Sequence, residues 1–162
     1  MFDDLLQANA LFAKNFPYRG LPGAPAHGLL IVTCMDSRLD PLEIFGLNVG
    51  QAKVLRTPGG FLSPNTLAGA IAAVHKLNVD RIMVLEHTRC TMASIDEAGF
   101  QRDVVAHAGQ PVGDLVFGAD PNQAQHLRDD VETLRNHALI KGFAEVGGFM
   151  YDVETGQVTQ AC

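Results

Sequence analysis

Three short apolar segments, separated by two helix-starting signals, constrain the fold of this 162-residue chain most strongly. The segments are residues 28–33, 52–57 and 81–86, and each carries Val, Ile or Leu in a short run. Runs of this kind are typical of strands that are buried on both faces of a parallel sheet. The order strand, helix, strand, helix, strand therefore predicts an α/β domain, with a mainly parallel sheet flanked by helices and joined by right-handed crossovers.

The two segments between these strands carry the signals of helix N-termini. Asp40-Pro41 offers a capping carboxylate followed by a proline at the first helical position, and we expect this helix to end at Gly46. Ser63-Pro64 begins the second helix in the same way. Four apolar residues of that second helix form one stripe, which we expect to face the sheet: Leu67, Ile71, Val74 and Leu77.

The chain before the first strand is expected to form a helix and an arm. Residues 2–16 carry apolar side chains at helical spacing, including Leu5, Leu6, Phe12 and Phe16. Residues 17–27 contain three prolines and read as an extended connector. The helix either packs on its own domain or reaches a second subunit, since eleven extended residues span roughly 35 Å.

The chain after the third strand is expected to be mostly helical and to close with a hairpin. Asp120-Pro121 resembles another cap followed by proline, and we expect the helix after it to end near Gly142. Its apolar positions are Ala124, Leu127, Val131 and Leu134. Residues 149–153 and 157–160, separated by a turn that contains glycine, predict the hairpin.

Composition excludes several classes of partner. The chain has 12 basic and 18 acidic residues and a net charge of −6, which argues against nucleic acid, because its binding requires clustered Lys and Arg. The longest apolar stretch, residues 28–32, is far shorter than the roughly 20 residues of a membrane span, and the acidic N-terminus does not resemble a signal peptide. The three cysteines, Cys34, Cys90 and Cys162, form no disulfide framework and predict a reducing cytoplasm.

Two short motifs follow the first and third strands. Cys34-Met-Asp36-Ser-Arg38 comes after the first, and His87-x-x-Cys90 comes after the third. The carboxyl ends of parallel strands meet at one edge of the sheet, so the motifs are expected to converge there. Two cysteines and one histidine offer three zinc ligands and leave a fourth position open, which is the pattern of a catalytic zinc site.

Each of these residues also has an ordinary structural explanation. Cys34 alone could be a small buried hydrophobe, His87 a satisfied polar residue and Asp36 a helix cap. The joint pattern favours the metal hypothesis. Within it, Asp36 could accept a hydrogen bond from a zinc-coordinated water or occupy the fourth position itself in a closed state, and a bidentate pair with Arg38 would decide between the two.

These motifs resemble the two zinc-site motifs of the β-class carbonic anhydrases, and the resemblance to the short bacterial and archaeal branch covers nearly the whole chain. It implies that Cys34, His87 and Cys90 ligate one zinc ion per subunit and that Asp36 and Arg38 form a gating dyad. It also implies one domain, with residues 1–27 as an N-terminal helix and arm and residues 28–162 as the zinc-binding α/β core. The resemblance further implies a homodimer, or a higher even oligomer, in which the N-terminal helices embrace the partner.

The activity implied by this resemblance is the zinc-dependent, reversible hydration of carbon dioxide to bicarbonate and a proton, in the cytoplasm. Two departures bear on it: Thr57-Pro58 replaces the usual sequence after the second strand, and Thr91 replaces the usual glycine after Cys90. The alternatives are a carbonyl sulfide or carbon disulfide hydrolase of the same fold and a non-catalytic zinc protein with Asp36 held on the metal. A redox protein with a disulfide between the two motif cysteines would leave the histidine and the dyad unexplained.

Overall fold

A five-stranded sheet forms the centre of the protein, in a computed structural model that describes all 162 residues. The strand order is β2-β1-β3-β4-β5, and only β5 runs antiparallel to its neighbour. The strands are β1 (Leu29–Cys34), β2 (Ala52–Thr57), β3 (Arg81–His87), β4 (Glu145–Tyr151) and β5 (Val158–Gln160). The expected α/β class, the parallel order and the closing hairpin are therefore confirmed.

Five α-helices and two single 3₁₀ turns accompany the strands, and all but α1 lie between them. They are α1 (Asp3–Lys14), α2 (Pro41–Ile44), α3 (Pro64–Leu77), α4 (Glu97–Ala108) and α5 (Gln123–Asn136), with 3₁₀ turns at Pro58–Gly60 and Thr91–Ala93. The predicted caps of α2 and α3 are present: the Asp40 carboxylate accepts hydrogen bonds from the N–H groups of Leu42 and Glu43, and the Ser63 hydroxyl accepts one from the Thr66 N–H. The sequence therefore predicted correctly which side chains cap these two helices.

The main core lies between the sheet and helices α3 and α5. Leu30, Val32 and Val84 supply the sheet side, and α5 supplies Leu127 and Val131 among others. The predicted apolar stripe of α3 faces this core, through one buried and three half-buried residues: Val74, and Leu67, Ile71 and Leu77. Burial on this scale fixes the strands rigidly, so the side chains at their carboxyl ends are held in place.

The boundaries predicted for the last helix were wrong. Helix α5 begins at Gln123 and ends at Asn136, rather than running from Pro121 to near Gly142. Asp120 does not cap the helix, because its carboxylate accepts a hydrogen bond from the N–H of Asn122 in the preceding turn. His137 adopts an extended conformation, and the turn after it carries the fully buried Ile140 into the core. Ala124 is exposed, so the apolar stripe begins only at Leu127.

Helix α1 stands apart from the core, as none of its residues is buried. The connector after it contains no helix or strand, as expected. Leu5, Leu6, Phe12 and Phe16 are all exposed, although each is large and apolar. None of the helices in the structure has the length and apolar character needed to cross a membrane.

Candidate metal centre

The three predicted ligands meet at the carboxyl edge of the sheet. Cys34 is the last residue of β1, His87 is the last residue of β3, and Cys90 follows in the loop. Strands β1 and β3 are hydrogen-bonded neighbours, so their ends lie side by side. The two sulfur atoms and one imidazole nitrogen lie within 4.8 Å of one another, and the three residues are only 4%, 0% and 5% exposed.

The orientation of His87 suits a metal ligand. Its Nδ1 lies 2.9 Å from the carbonyl oxygen of Thr88, and because a carbonyl only accepts, Nδ1 carries the proton. Its Nε2 is buried and has no hydrogen-bond partner in the protein. A hydrogen bond that fixes one ring nitrogen and frees the other is the usual arrangement for a zinc-bound histidine. The side-chain amide of Gln123 also donates to the His87 carbonyl, at 3.1 Å.

The two thiols influence each other strongly. Hydrogen bonding from Cys90, assisted by His87, lowers the pKa of Cys34 to about 4 even though burial opposes this. The same contact with the Cys34 sulfur, together with burial, raises the pKa of Cys90. The pair therefore favours a thiolate at Cys34, and a divalent cation bound by both sulfurs would release the remaining thiol proton. Zn–S distances near 2.3 Å and Zn–N distances of about 2.0 to 2.1 Å fit within this cluster, so the donor set suits zinc.

Asp36 and Arg38 form the bidentate pair that the sequence predicted. Arg38 donates from Nε to Asp36 Oδ1 at 2.9 Å and from Nη2 to Oδ2 at 2.7 Å. These bonds hold the pKa of Asp36 well below its usual range, so the side chain is a carboxylate and can only accept hydrogen bonds. Its Oδ2 lies 3.8 Å from the free Nε2 of His87, which places the pair beside the ligand cluster.

Arg56 holds the backbone of the first motif, a role that the sequence reasoning missed. Its Nε donates to the carbonyl of Cys34 at 3.0 Å, and its Nη2 donates to the carbonyl of Asp36 at 2.6 Å. One guanidinium therefore fixes the peptide groups of both a predicted ligand, Cys34, and the nearby Asp36. The available signal was the place of Arg56 near the end of β2, where it pairs with Thr33 of β1.

An apolar wall surrounds the sulfur atoms. We use this name for the buried Phe61, Met92 and Ala119, which cluster with the two cysteines, and for the half-buried Ile95, Phe100 and Phe117 around them. Gly118 is required here, because it has a φ of +79° and a Cβ would lie 2.1 Å from the Phe61 ring. Gly60 has a φ of +86° and lets its loop approach the backbone of Cys34.

The two departures from the family pattern are accommodated without strain at the ligands. Thr91 starts a 3₁₀ turn, and its φ is not positive, so its side chain needs no glycine-like conformation. Pro58 starts the other 3₁₀ turn, in which Gly59 and Gly60 provide the positive φ values. The left-handed residue of the second motif is instead Arg89, with a φ of +56°.

Comparisons with known proteins agree with this geometry. The carbonic anhydrase family model matches residues 29–158. Beta-carbonic anhydrase 1 of Mycobacterium tuberculosis is 27% identical over 160 residues, covering 98% of this chain and 96% of that protein. Carbon disulfide hydrolase of Acidithiobacillus thiooxidans is 26% identical over 170 residues, covering 90% of this chain and 83% of that protein.

A solved carbonic anhydrase structure, from Streptococcus mutans, is 30% identical and has a TM-score of 0.91, covering 99% of this chain and 97% of that one. The family match spans strands β1 to β4 and both motifs. The chain therefore belongs to the carbonic anhydrase family, as a member of its β class of zinc enzymes that hydrate carbon dioxide to bicarbonate.

Proposed function

We propose that Cys34, His87 and Cys90 hold one zinc ion per subunit, and that Asp36 and Arg38 act with it as a carbonate dehydratase, a zinc lyase. The observation that carries this proposal is the bidentate Asp36–Arg38 pair, whose Oδ2 lies 3.8 Å from the unpartnered His87 Nε2. A bound zinc ion supplies Lewis acidity, which generates a nucleophile from water near neutral pH.

Asp36 orients that nucleophile. As a carboxylate it only accepts hydrogen bonds, so it would accept one from the attacking group and leave a lone pair of that group facing the carbon of carbon dioxide. Arg38 donates hydrogen bonds to both carboxylate oxygens of Asp36. These bonds keep Asp36 from turning toward the metal as a fourth ligand. This arrangement supports catalysis over the non-catalytic alternative, in which Asp36 would stay on the metal.

The apolar wall receives the substrate. Carbon dioxide has no hydrogen to donate and no net charge, so aromatic and aliphatic side chains suit it better than charged groups do. Phe61 and Met92 are buried beside the cysteine sulfurs. They exclude bulk water and so strengthen the electrostatic interactions in the centre. Addition of water to the carbon then yields bicarbonate and releases one proton.

Stopped-flow hydration of carbon dioxide, combined with metal analysis, tests the proposal. Asp36→Asn should retain zinc and lose about a hundredfold or more in kcat, the scale of losing one preorganised hydrogen-bonding group from an active site. Asp80→Asn is the matched control, because Asp80 is exposed at the opposite edge of the sheet. Full activity in Asp36→Asn would disprove the role of the dyad, and a full zinc content in Cys90→Ser would disprove the ligand assignment.

The carbon disulfide hydrolase alternative is tested in the same experiment. The relative of that name is nearly as similar to this chain as the mycobacterial carbonic anhydrase is, at 26% and 27% identity. Hydrogen sulfide release from carbon disulfide is therefore measured beside carbon dioxide hydration. Release of hydrogen sulfide without hydration of carbon dioxide would show that carbon disulfide, and not carbon dioxide, is the substrate.

We further propose that residues 28–162 form the zinc-binding core, and that residues 1–27 pack against a second copy of the chain. The support is helix α1, in which no residue is buried although Leu5, Leu6 and Phe12 are large and apolar. A solved relative from Sordaria macrospora, 23% identical, is described as tetrameric. A homodimer or higher even oligomer would cover this helix.

The size of the particle in solution tests this proposal. Leu6→Glu should shift the protein toward the monomer in sedimentation velocity, because it places a charge in the buried face. Gln7→Glu is the matched control, as its side chain lies about 100° further around the helix, away from that face. A dimer that persists unchanged in Leu6→Glu would disprove the role of α1.

We also propose a cytoplasmic location. All three cysteines are free, and Cys34 and Cys90 must remain thiolates to bind a metal. Fractionation of the cells that produce the protein, with activity followed in each fraction, tests this; activity outside the cytoplasm would contradict it.

A further inference from the structure

The loop that carries two of the ligands is tied to the turn between β4 and β5. We call residues 87–90 the ligand loop. Three contacts join it to that turn: the Thr88 N–H donates to the Tyr151 carbonyl at 2.9 Å, the Val153 N–H donates to the Thr88 hydroxyl at 3.1 Å, and Arg89 Nη1 donates to Glu154 Oε1 at 2.6 Å. The proposed function uses none of these contacts.

Arg89 connects this turn to the Asp36–Arg38 pair. Its carbonyl oxygen accepts a hydrogen bond from Arg38 Nη2 at 3.1 Å, and the same Nη2 donates to Asp36 Oδ2 at 2.7 Å. Arg89 has a φ of +56°, which is unfavourable for a residue with a Cβ. The contacts that hold it in this conformation therefore also fix the direction of its carbonyl.

We propose that the Arg89–Glu154 ion pair is a latch that positions Arg38 and so holds Asp36 away from the fourth zinc position. The inference rests on the proposed roles of Asp36 and Arg38. The latch keeps the Arg89 carbonyl facing Arg38. The Arg38 guanidinium, anchored in this way, stays hydrogen-bonded to both carboxylate oxygens of Asp36. Arg89 and Glu154 are positioning residues, because neither reaches the reacting atoms. When the latch is broken, Asp36 turns more often toward the metal and competes with the nucleophile.

The expected effect is modest because the latch is exposed. The side chains of Arg89 and Glu154 are 66% and 55% exposed. Exposed ion pairs shift an equilibrium by at most about fivefold. We therefore expect Glu154→Ala to lower kcat by about two- to fivefold and to leave KM unchanged, because the wall that receives the substrate is not altered.

A second readout follows the metal directly. Thiocyanate is titrated into the cobalt-substituted protein, and the visible spectrum of cobalt reports occupation of the fourth position. Loss of the Glu154 charge alone would strengthen binding of this anion, whereas a competing Asp36 weakens it. We expect thiocyanate to bind Glu154→Ala about two- to fivefold more weakly than wild type, which is opposite to the purely electrostatic effect.

Two further variants complete the test. Glu132→Ala is the matched control, since it removes an exposed glutamate on α5 whose side chain makes no ion pair, and it should behave as wild type. The exchange Arg89→Glu with Glu154→Arg restores the pair in the opposite sense and should recover most of kcat and of thiocyanate affinity. Wild-type kcat and unchanged or stronger thiocyanate binding in Glu154→Ala would overturn the latch.

Failure of the latch is distinguishable from failure of the proposed function. An active wild type, together with an equally active Glu154→Ala, removes the latch and leaves the roles of Asp36 and Arg38 intact. Full activity in Asp36→Asn removes those roles themselves. Glu154→Gln keeps a neutral hydrogen bond to Arg89 and should give intermediate values in both readouts, which provides a graded check if the alanine variant is poorly folded.

Discussion

Glu97 is expected to hold the loop that completes the apolar wall. It lies in the first turn of α4, and its carboxylate accepts hydrogen bonds from three successive backbone N–H groups. Phe117 donates to Oε1 at 2.9 Å, and Gly118 and Ala119 donate to Oε2 at 2.8 and 3.0 Å. Two of these residues, Phe117 and Ala119, belong to the wall. Glu97→Ala would therefore release part of the wall while leaving the metal ligands in place.

The magnitude follows from the three hydrogen bonds. Bonds to a charged partner contribute roughly 1.5 to 3 kcal/mol each when buried. Glu97 is half-buried and water can partly replace it, so we take about 1 kcal/mol per bond, or about 3 kcal/mol in total. At about 2 to 4 °C per kcal/mol for a chain of this size, Tm should fall by about 6 to 12 °C. The loosened wall should also raise KM for carbon dioxide.

The pH dependence has a definite sign. Partial burial raises the pKa of Glu97, but the hydrogen bonds from Phe117, Ala119 and their neighbours outweigh it and lower the pKa below its ordinary value of 4.5. A group whose folded pKa is depressed stabilises the protein above its unfolded pKa, and that contribution is lost as the pH falls through the folded value. The Tm difference between wild type and Glu97→Ala should therefore be largest near pH 7 and shrink below pH 4.5.

Thermal unfolding by circular dichroism at pH 7 and pH 4, with stopped-flow hydration at pH 7, measures these effects. Asp103→Ala is the matched control, because it removes an exposed carboxylate from the same helix. The reasoning is refuted if Glu97→Ala unfolds within about 2 °C of that control at pH 7, a shift of less than about 1 kcal/mol.

Three further expectations concern the wall, the ligands and the metal. Gly118→Ala should lower Tm more than Gly113→Ala, because both have positive φ but only the first would clash with a neighbouring ring; equal Tm values would contradict this. Arg56→Ala frees the backbone carbonyl of a ligand, so zinc affinity in a chelator competition should fall about 10- to 100-fold, and unchanged affinity would show that Arg56 plays no such role. Removal of zinc should make Cys34 and Cys90 newly reactive toward a thiol reagent, and an unchanged thiol count would contradict their assignment as ligands.

The ligand cluster was predictable because it depends on features that the sequence pattern carries directly. Cys34 and His87 terminate two strands whose apolar runs identify them as buried and parallel. Parallel strands end at one edge, so the two side chains had to approach each other. Asp36 and Arg38 are only two residues apart, which made their pairing predictable as well.

The end of α5 was misplaced because the prediction extended the helix to the glycine at position 142. The apolar steps of three and four residues stop at Leu134, two residues before the helix ends. Ile140 lies six residues after Leu134, off that stripe, and it is fully buried as part of a turn. His137 leaves the helical conformation, and the core accepts Ile140 from the turn equally well. Asp120 was misread for a similar reason, since its carboxylate serves a turn rather than a helix end.

The contacts that hold the site in place could not be predicted from the sequence either. Arg56 reaches a carbonyl 22 residues away, Glu97 reaches amides 20 to 22 residues away, and Arg89 reaches a carboxylate 65 residues away. Each joins a side chain to a group far along the chain, whose position depends on the finished fold. Charged residues usually indicate only a solvated surface, so no local pattern distinguishes these three.

The residues at strand ends were predictable, and the contacts that depend on the finished fold were not. This difference bears on how the fold selects its substrate. The chain is 27% identical to a carbonic anhydrase over 98% of its length and 26% identical to a carbon disulfide hydrolase over 90% of its length. A zinc ion held by the proposed ligands at these rigid strand ends would supply the same Lewis acidity to either substrate. Carbon disulfide is longer and bulkier than carbon dioxide, so if the apolar wall receives the substrate as proposed, its volume and rigidity would contribute to discrimination. In this chain that wall is fastened by Glu97, and Gly118 packs against the Phe61 ring too tightly to accept even a Cβ. A closely packed wall of this kind favours the smaller molecule, because enlarging it would break the hydrogen bonds that hold the loop.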